Sequence, residues 1–398
     1  MANGRSGELR VIDADGHYME PRDLRPYVER KYRDRAPHLV VESDGSEHWE
    51  GSDWISQGVP HMGQVVFVRE GPHNPDLLGV SDAPESQESR AKKSLYGELS
   101  AAALEPEARL QLMDSEGIDA AVLYPTAGLT WIPEADLHHA INRGLNDWLA
   151  EWCSPARHRL LGATNIVAIH DVDAACAEAI RCHEEHGFQA VFLRSCLPDS
   201  QVKWWDDTYD RFWRTCEERE IAIGLHPFPG DSMFGSASVF DIMGPEQLKL
   251  FMRTPYNSVV DSMQTLMGII AGGVNERFPD LHFGILESSG GWVVPFLERL
   301  DTRFEYMSHA VPNLTMKPSD YFRRNWWIAF DPEEAMLVES ARWLGADRII
   351  WGSDYPHPDA FFPGFVKMLD ENIAPLSPDE QIRIRGRNSA DFYRLAPV

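Results

Sequence analysis

A chain of 398 residues is long enough to bury a sizeable core, either as two average domains or as one large barrel with insertions. Its composition, 43% hydrophobic and 25% charged, is that of an ordinary globular protein and excludes a disordered or fibrous chain. The formal net charge of −25 repels phosphate backbones and anionic headgroups, which argues against nucleic acid or a membrane surface as partner and leaves small molecules.

In chain order the first apolar run is VIDAD, residues 11–15, which continues through Gly16 to His17 and so leads from β-favouring residues into two acids and a histidine. Strict alternation along an extended strand predicts that Asp13, Asp15 and His17 share one face. Seven further apolar runs follow: AAVLYP (120–125), LLGATNIVAI (160–169), AVFLRS (190–195), IAIGLH (221–226), LHFGILE (281–287), WWIAF (326–330) and RIIWGSD (348–354). Most are continuous and not alternating, the pattern of parallel strands buried on both faces. Amphipathic stretches separate them. EPEARLQLMDSEG (105–117) predicts a helix with Ala108, Leu110, Leu112 and Met113 on its apolar side and Gly117 as its stop. DVDAACAEAIRCHEEHG (171–187) predicts another, capped by Asp171 or Asp173 and ended at Gly187.

Eight strand-helix units in one chain predict an α/β fold of the closed (β/α)8 TIM-barrel type. The rival is an open doubly wound sheet, but the first strand runs into DGHYMEP and not into a glycine-rich phosphate loop. Two stretches interrupt the repeat within what reads as a single domain over residues 1–398. Residues 22–104 form a long insertion after strand one, expected to be a cap or lid with a hairpin strand at 63–71. Residues 227–262 form a smaller insertion after strand five. Loops of this length in a compact domain are either functional or plain packing inserts.

Barrel enzymes draw their sites from the C-terminal ends of the strands. Those ends carry Asp15 and His17, His170, Arg194, His226, Glu287, and Asp354 with His357 just beyond it. A divalent cation accounts for such a gathering, because it neutralises facing carboxylates and accepts imidazole nitrogens. It also lowers the pKa of bound water towards neutrality. Other polar clusters read as structure. HEEH (183–186) is expected on a solvated helix face, and His138 and His139 on a helix surface or a helix-packing contact. The Trp pairs at 204–205 and 326–327 read as packing, while Trp54, Trp131 and Trp292 are placed to line a pocket for a flat ligand.

VIDADGHYMEP, GLHPF, GGVNERFPDLHFGILESSGGW and WGSDYPHPD together resemble the amidohydrolase superfamily. More narrowly they resemble its amidohydrolase-related branch, which holds the aminocarboxymuconate-semialdehyde and resorcylate decarboxylases. The resemblance spans almost the whole chain. It implies a (β/α)8 barrel with one divalent metal, most often zinc and sometimes manganese or magnesium. The His-x-His of that family falls on Asp15-Gly16-His17, its strand-five histidine on His226, and its strand-eight aspartate on Asp354.

Two departures stand out. Asp15 replaces the first histidine, and Glu287 stands where the decarboxylases commonly carry a strand-six histidine that activates metal-bound water. A glutamate there serves as general base or as an additional ligand, which speaks against decarboxylation and leaves hydrolysis intact. Asp15, Glu287 and Asp354 sum to −3 against a +2 ion, so a net negative site is expected. Arg194 either restores balance by gripping a substrate carboxylate or pairs with a structural acid such as Glu287 or Asp171. The leading expectation is a metal-dependent hydrolase that directs an activated water at a carbonyl-type centre. The substrate expected is a small aromatic or unsaturated carboxylate. The alternatives are a non-oxidative decarboxylase or other lyase of the same branch, and a barrel that has lost catalysis and serves as a binding subunit. The last is disfavoured because the ligand set is complete in type.

Five cysteines with no Cys-x-x-Cys pair point to a reduced thiol set. Without a signal-peptide core or a run of roughly 18 apolar residues, cytoplasmic residence is expected. A homodimer is possible in a family of this kind.

Overall fold

The computed structural model describes residues 11–45, 47–51, 96, 100–126, 131–196, 203–227, 256, 258–357, 360 and 363–395. Eight strands form one parallel sheet in strictly sequential order: β1 (Ile12–Tyr18), β4 (Ala120–Pro125), β5 (Leu160–Val167), β6 (Ala190–Arg194), β7 (Ala222–His226), β8 (Phe283–Ile285), β9 (Trp326–Phe330) and β10 (Ile349–Trp351). Seven of the eight lie within the apolar runs read from the sequence, and β1 extends past its run at 11–15 to Tyr18. β4, β6, β7 and β9 are buried at every position, as strands sandwiched between a filled interior and an outer helical layer must be. The sheet closes where β1 meets the segment after β10. The Asp354 N–H donates to the Asp15 carbonyl at 3.0 Å, and the His17 N–H to the Tyr355 carbonyl at 2.8 Å. Closure removes both sheet edges and makes the molecule a (β/α)8 barrel.

Two of the predicted helices form with the expected ends. Pro106–Glu116 stops at Gly117, whose φ of 81° suits a residue without a Cβ. Val172–Arg181 starts on Asp171, whose carboxylate accepts the N–H groups of Asp173 and Ala174. The HEEH stretch continues this helix as a π-turn over Cys182–His186, where the half-buried His183 bonds to the Phe188 carbonyl and the half-buried His186 reaches Asp147 of the helix Ala135–Trp152. His138 is no surface residue. It is fully buried and joins the helix Ala135–Trp152 to β5 through the Ile166 carbonyl. The five cysteines are all buried and free. No described helix is long and apolar enough to cross a membrane.

An antiparallel pair, β2 (His38–Val41) with β3 (Glu47–Glu50), occupies the start of the long insertion. The expected hairpin strand at 63–71 and Trp54 lie outside the described residues, as does most of the 227–262 insertion.

Inside the barrel a compact apolar plug joins Ala14, Val122, Tyr124, Phe192, Trp327 and Ile350 to Phe392 and Tyr393 from the C-terminal segment. The Tyr124 and Tyr393 hydroxyls meet at 2.9 Å, and Tyr393 donates to the Ala14 carbonyl at 2.6 Å. This plug requires bare backbone at two neighbouring strand positions, Gly224 and Gly284, which pair in register. A Cβ at Gly224 would stand 2.5 Å from the Tyr124 hydroxyl, and one at Gly284 would stand 2.4 Å from the Phe392 ring. We expect Gly224→Ala to cost about 1–3 kcal/mol, as overpacked cores do. Urea unfolding of the two proteins measures the difference, and unchanged stability would contradict the described packing.

Candidate functional site

β1 is not a simple alternating strand. Its register against β4 shifts by one residue between Asp13 and Gly16, a β-bulge. The expectation that Asp13, Asp15 and His17 share a face fails for this reason. Ala14 packs into the interior plug, while Asp13 turns to β10 and accepts the Ser353 hydroxyl at 2.6 Å and the Ser353 N–H at 2.9 Å. Burial raises the Asp13 pKa, against the pull of those hydrogen bonds and of Arg109. Asp15 and His17, beyond the bulge, reach the C-terminal mouth.

There they meet residues from three other strand ends. His17 Nε2 lies 3.1 Å from Asp354 Oδ1, 3.5 Å from Glu287 Oε2 and 3.8 Å from Asp15 Oδ1. His226 Nε2 lies 2.8 Å from Glu287 Oε2, 4.0 Å from Asp15 Oδ1 and 3.4 Å from His17 Nε2. The other nitrogen of each ring is fixed by backbone. His17 Nδ1 is 3.0 Å from the Pro125 carbonyl and His226 Nδ1 is 2.7 Å from the Pro227 carbonyl. A carbonyl only accepts, so each Nδ1 carries the hydrogen. Each neutral ring therefore presents its Nε2 lone pair to the cluster.

Two lone pairs 3.4 Å apart, facing carboxylate oxygens, repel one another unless a proton or a cation lies among them. Asp15 Oδ1, buried and without a hydrogen-bond donor among the described residues, belongs to the same volume. Two sets of donors meet the spacing of a metal-ion site: Asp15, His17 and His226, and His17, Glu287, Asp354 and His357.

The cluster shifts its own members. Burial pushes the Asp15 carboxyl up to about 7; His226 opposes that rise, while Glu287 and Asp13 add to it. Burial holds His17 well below the ordinary imidazole range, helped by the positive charge that His357 and His226 take on when protonated. For His226 burial acts downward, but Glu287 and then Asp15 overcome it and raise the pKa. For Glu287 burial acts upward, and His226 and His357 overcome it, so the carboxylate stays ionised.

Local backbone strain attends the same residues. Glu287 and Asp354 both hold positive φ, 38° and 56°, which side chains other than glycine adopt at a cost. Both are held by Asp15, whose Oδ2 accepts the Glu287 N–H at 3.0 Å and whose carbonyl accepts the Asp354 N–H. The loop after Glu287 is gathered by Glu334, whose carboxylate accepts the N–H groups of Gly290, Gly291 and Asp331.

Arg194 ends β6 in register with His226 and is buried. In a parallel sheet paired residues share a face, so its side chain is directed to the mouth beside His226. His170 does not join the cluster. Its Nε2 meets the Ile132 carbonyl at 2.9 Å and its ring stacks on Trp131, so those two residues hold the loop after β4. Trp292 stays half-buried, donating to the Ser288 carbonyl at 3.0 Å.

Sequence reasoning left two residues without a role. His357 carries Nδ1 to 2.6 Å from Asp354 Oδ1 and stacks on His17 at 3.9 Å; its signal was its place three residues after Asp354. Arg109 donates to the His17 carbonyl at 2.9 Å and to the Ala102 carbonyl at 2.8 Å, and lies over the Tyr355 ring. Its signal was an arginine sharing the buried stripe with Leu112 and Met113 at helical spacing.

Known structures match this architecture. An amidohydrolase from Mycobacterium avium subsp. paratuberculosis K-10 superposes with a TM-score of 0.76 at 23% identity, covering 96% of this chain and 99% of that one. A 5-carboxyvanillate decarboxylase from Sphingomonas paucimobilis gives a TM-score of 0.61 at 24% identity, over 79% and 88% of the two chains. A dihydroxybenzoic acid decarboxylase from Polaromonas sp. JS666, with bound manganese and the inhibitor 2-nitroresorcinol, gives 0.61 at 21%, over 81% and 92%. At such identities these likenesses speak for the fold. The family model described as Amidohydrolase, by contrast, matches residues 12–395, from the first strand of the barrel to its C-terminal plug. With that span and the barrel it encloses, the chain belongs to the amidohydrolase family and is an enzyme.

Proposed function

We propose that this enzyme is a single-metal hydrolase acting on a carbonyl-type centre of a small carboxylate-bearing substrate. The supporting observation is the pair of facing Nε2 lone pairs at 3.4 Å, each fixed by a carbonyl behind it, with the buried Asp15 and the half-buried Glu287 and Asp354 around them. A divalent ion suits that donor set, and the ligands proposed are Asp15, His17, His226, Glu287 and Asp354. Bound there, such an ion lowers the pKa of water and polarises a carbonyl oxygen.

The protein side of the reaction follows from the carboxylates. Glu287 is held ionised by His226 and His357, so it enters the reaction without a proton of its own to give. Asp354, against His17 and His357, is a second acceptor. A decarboxylase must deliver a proton to the carbon that loses CO2, and an ionised glutamate in the strand-six position is a poor donor. This is the reason to prefer hydrolysis. Arg194, buried next to His226, supplies the positive charge that a substrate carboxylate needs beside an acid-rich centre.

The second reading, a non-oxidative decarboxylase, draws on the printed activities of neighbours that act on 5-carboxyvanillate and dihydroxybenzoate. For the ion, zinc fits the mixed nitrogen and oxygen donors. Three carboxylates also suit manganese, the ion bound in two of the neighbours.

Purified protein is expected to hold about one divalent ion per chain by elemental analysis. His226→Ala should lose it while keeping the barrel's circular dichroism; retention of the ion in that variant would overturn the ligand assignment. The ion competes with protons for a carboxyl whose pKa is about 7 and for a histidine whose pKa is raised. Below those pKa values the site is protonated, so the apparent affinity should climb as pH rises through about 7. Competition with a chromogenic chelator measures that slope, and a flat profile from pH 6 to 8 would contradict it. Panels of amides, esters and lactones alongside aromatic carboxylates, followed for product and released CO2, decide between the two readings. Turnover confined to CO2 release would establish the lyase.

A further inference from the structure

Asp354 and His357 are the two ends of one tight turn. The His357 N–H donates to the Asp354 carbonyl at 2.7 Å, closing an i to i+3 ring, and the His357 carbonyl accepts the Ala360 N–H at 3.2 Å. Because main-chain bonds anchor it on both sides, the imidazole returns over the first residue of its own turn. Its Nδ1 comes to 2.6 Å from Asp354 Oδ1 and 3.6 Å from Glu287 Oε2. Its plane stacks on His17 at a centroid distance of 3.9 Å and 29° between rings. One buried ring thus touches three of the five proposed ligands, from two other strands as well as its own.

The contacts differ in kind. The 2.6 Å separation between the ring nitrogen and the carboxylate oxygen is a close ion-pair contact. The same oxygen lies 3.1 Å from His17 Nε2, so one carboxylate oxygen is shared by the two stacked imidazoles. A ring stacked nearly parallel on His17 packs against the ligand's face and does not point a lone pair along the ligand's own direction. Asp354 holds a positive φ, and its carboxylate needs a partner that resists the backbone's preference for another conformation.

We propose that His357 is a positioning residue for the metal centre: its Nδ1–H holds Asp354 in ligating orientation and its ring braces His17, without itself contacting the ion. The proposal rests on the single-metal reading above. Partners of this type behind a ligand typically affect metal affinity about 10- to 100-fold. The side chain that reproduces an Nδ1 donor is asparagine, whose amide nitrogen occupies nearly the same place. Glutamine reaches past it to the Nε2 position.

The test uses full-length protein stripped by chelation and titrated with Mn2+ or Zn2+ in competition with a chromogenic chelator. His357→Ala and His357→Gln are expected to bind about 10- to 100-fold more weakly than the wild type, with His357→Asn within about threefold. Thermal melts of the stripped proteins check that all four are folded, and the Gln and Asn variants carry the comparison if the Ala variant is not. Equal affinity in wild type, Gln and Asn variants would overturn the proposal, and so would an Asn variant as weak as the Gln one, which would mark the imidazole as a direct ligand. Wild-type protein that binds no ion would instead overturn the metal reading itself, a result separable from either of these.

Discussion

Asp15 ties the site to the barrel. Its carbonyl accepts the Asp354 N–H, its Oδ2 accepts the Glu287 N–H, and its Oδ1 faces both histidine lone pairs. One residue of β1 therefore closes the sheet against β10, captures the loop after β8 and contributes a charge to the cluster. The geometry allows this only because Gly352 leaves room, since a Cβ there would stand 2.6 Å from the Asp15 Cβ. Glu287 and Asp354 occupy positive φ at the two points where they bond to Asp15, so the strain in each loop is balanced by a hydrogen bond to the same side chain or its own backbone.

The electrostatics follow from that closure. Gathering one buried and two half-buried carboxylates is unfavourable, and two neutral imidazoles offering lone pairs add no compensation. The protein without an ion responds by holding protons, on Asp15 with a pKa of about 7 and on His226. Those are the protons a divalent ion displaces. On the proposed single-metal reading, affinity at the cluster is coupled to pH, and the coupling runs through the residue that closes the barrel. Arg109 extends the same logic to the outer layer: from a helix on the far side of β1 it grips the His17 carbonyl, so β1 is held at its mouth from both faces.

The eight strands were legible because parallel strands buried on both faces are forced to be continuous apolar runs, and the polar residues at their ends stood out against that background. Asp15, His17, His226, Glu287 and Asp354 do come together. What escaped was local. A β-bulge leaves no mark in the residue pattern of VIDADGHY, so alternation alone put Asp13 on one face with Asp15 and His17, although its place one step deeper read as a support behind that pair. Positive φ at Glu287 and Asp354 is invisible where neither glycine nor asparagine advertises it. His170 had the same credentials as His226, a histidine at the end of an apolar strand, yet a bulge in β5 and the neighbouring Trp131 and Ile132 take it elsewhere. His357 was within view, but only the turn that folds it back over Asp354 gives it a place.

Beneath the cluster the barrel is filled and not hollow, and this bears on the chemistry. Tyr124 stacks against His226 with ring centroids 6.1 Å apart, while its hydroxyl is taken by Tyr393 from the C-terminal segment. Burial raises the pKa of both phenols, so they remain neutral and supply an uncharged floor. Among the described residues, the interior beneath the cluster is therefore filled by side chains. An uncharged floor lowers the dielectric beneath the carboxylates and so strengthens the field that each charge exerts at the strand ends.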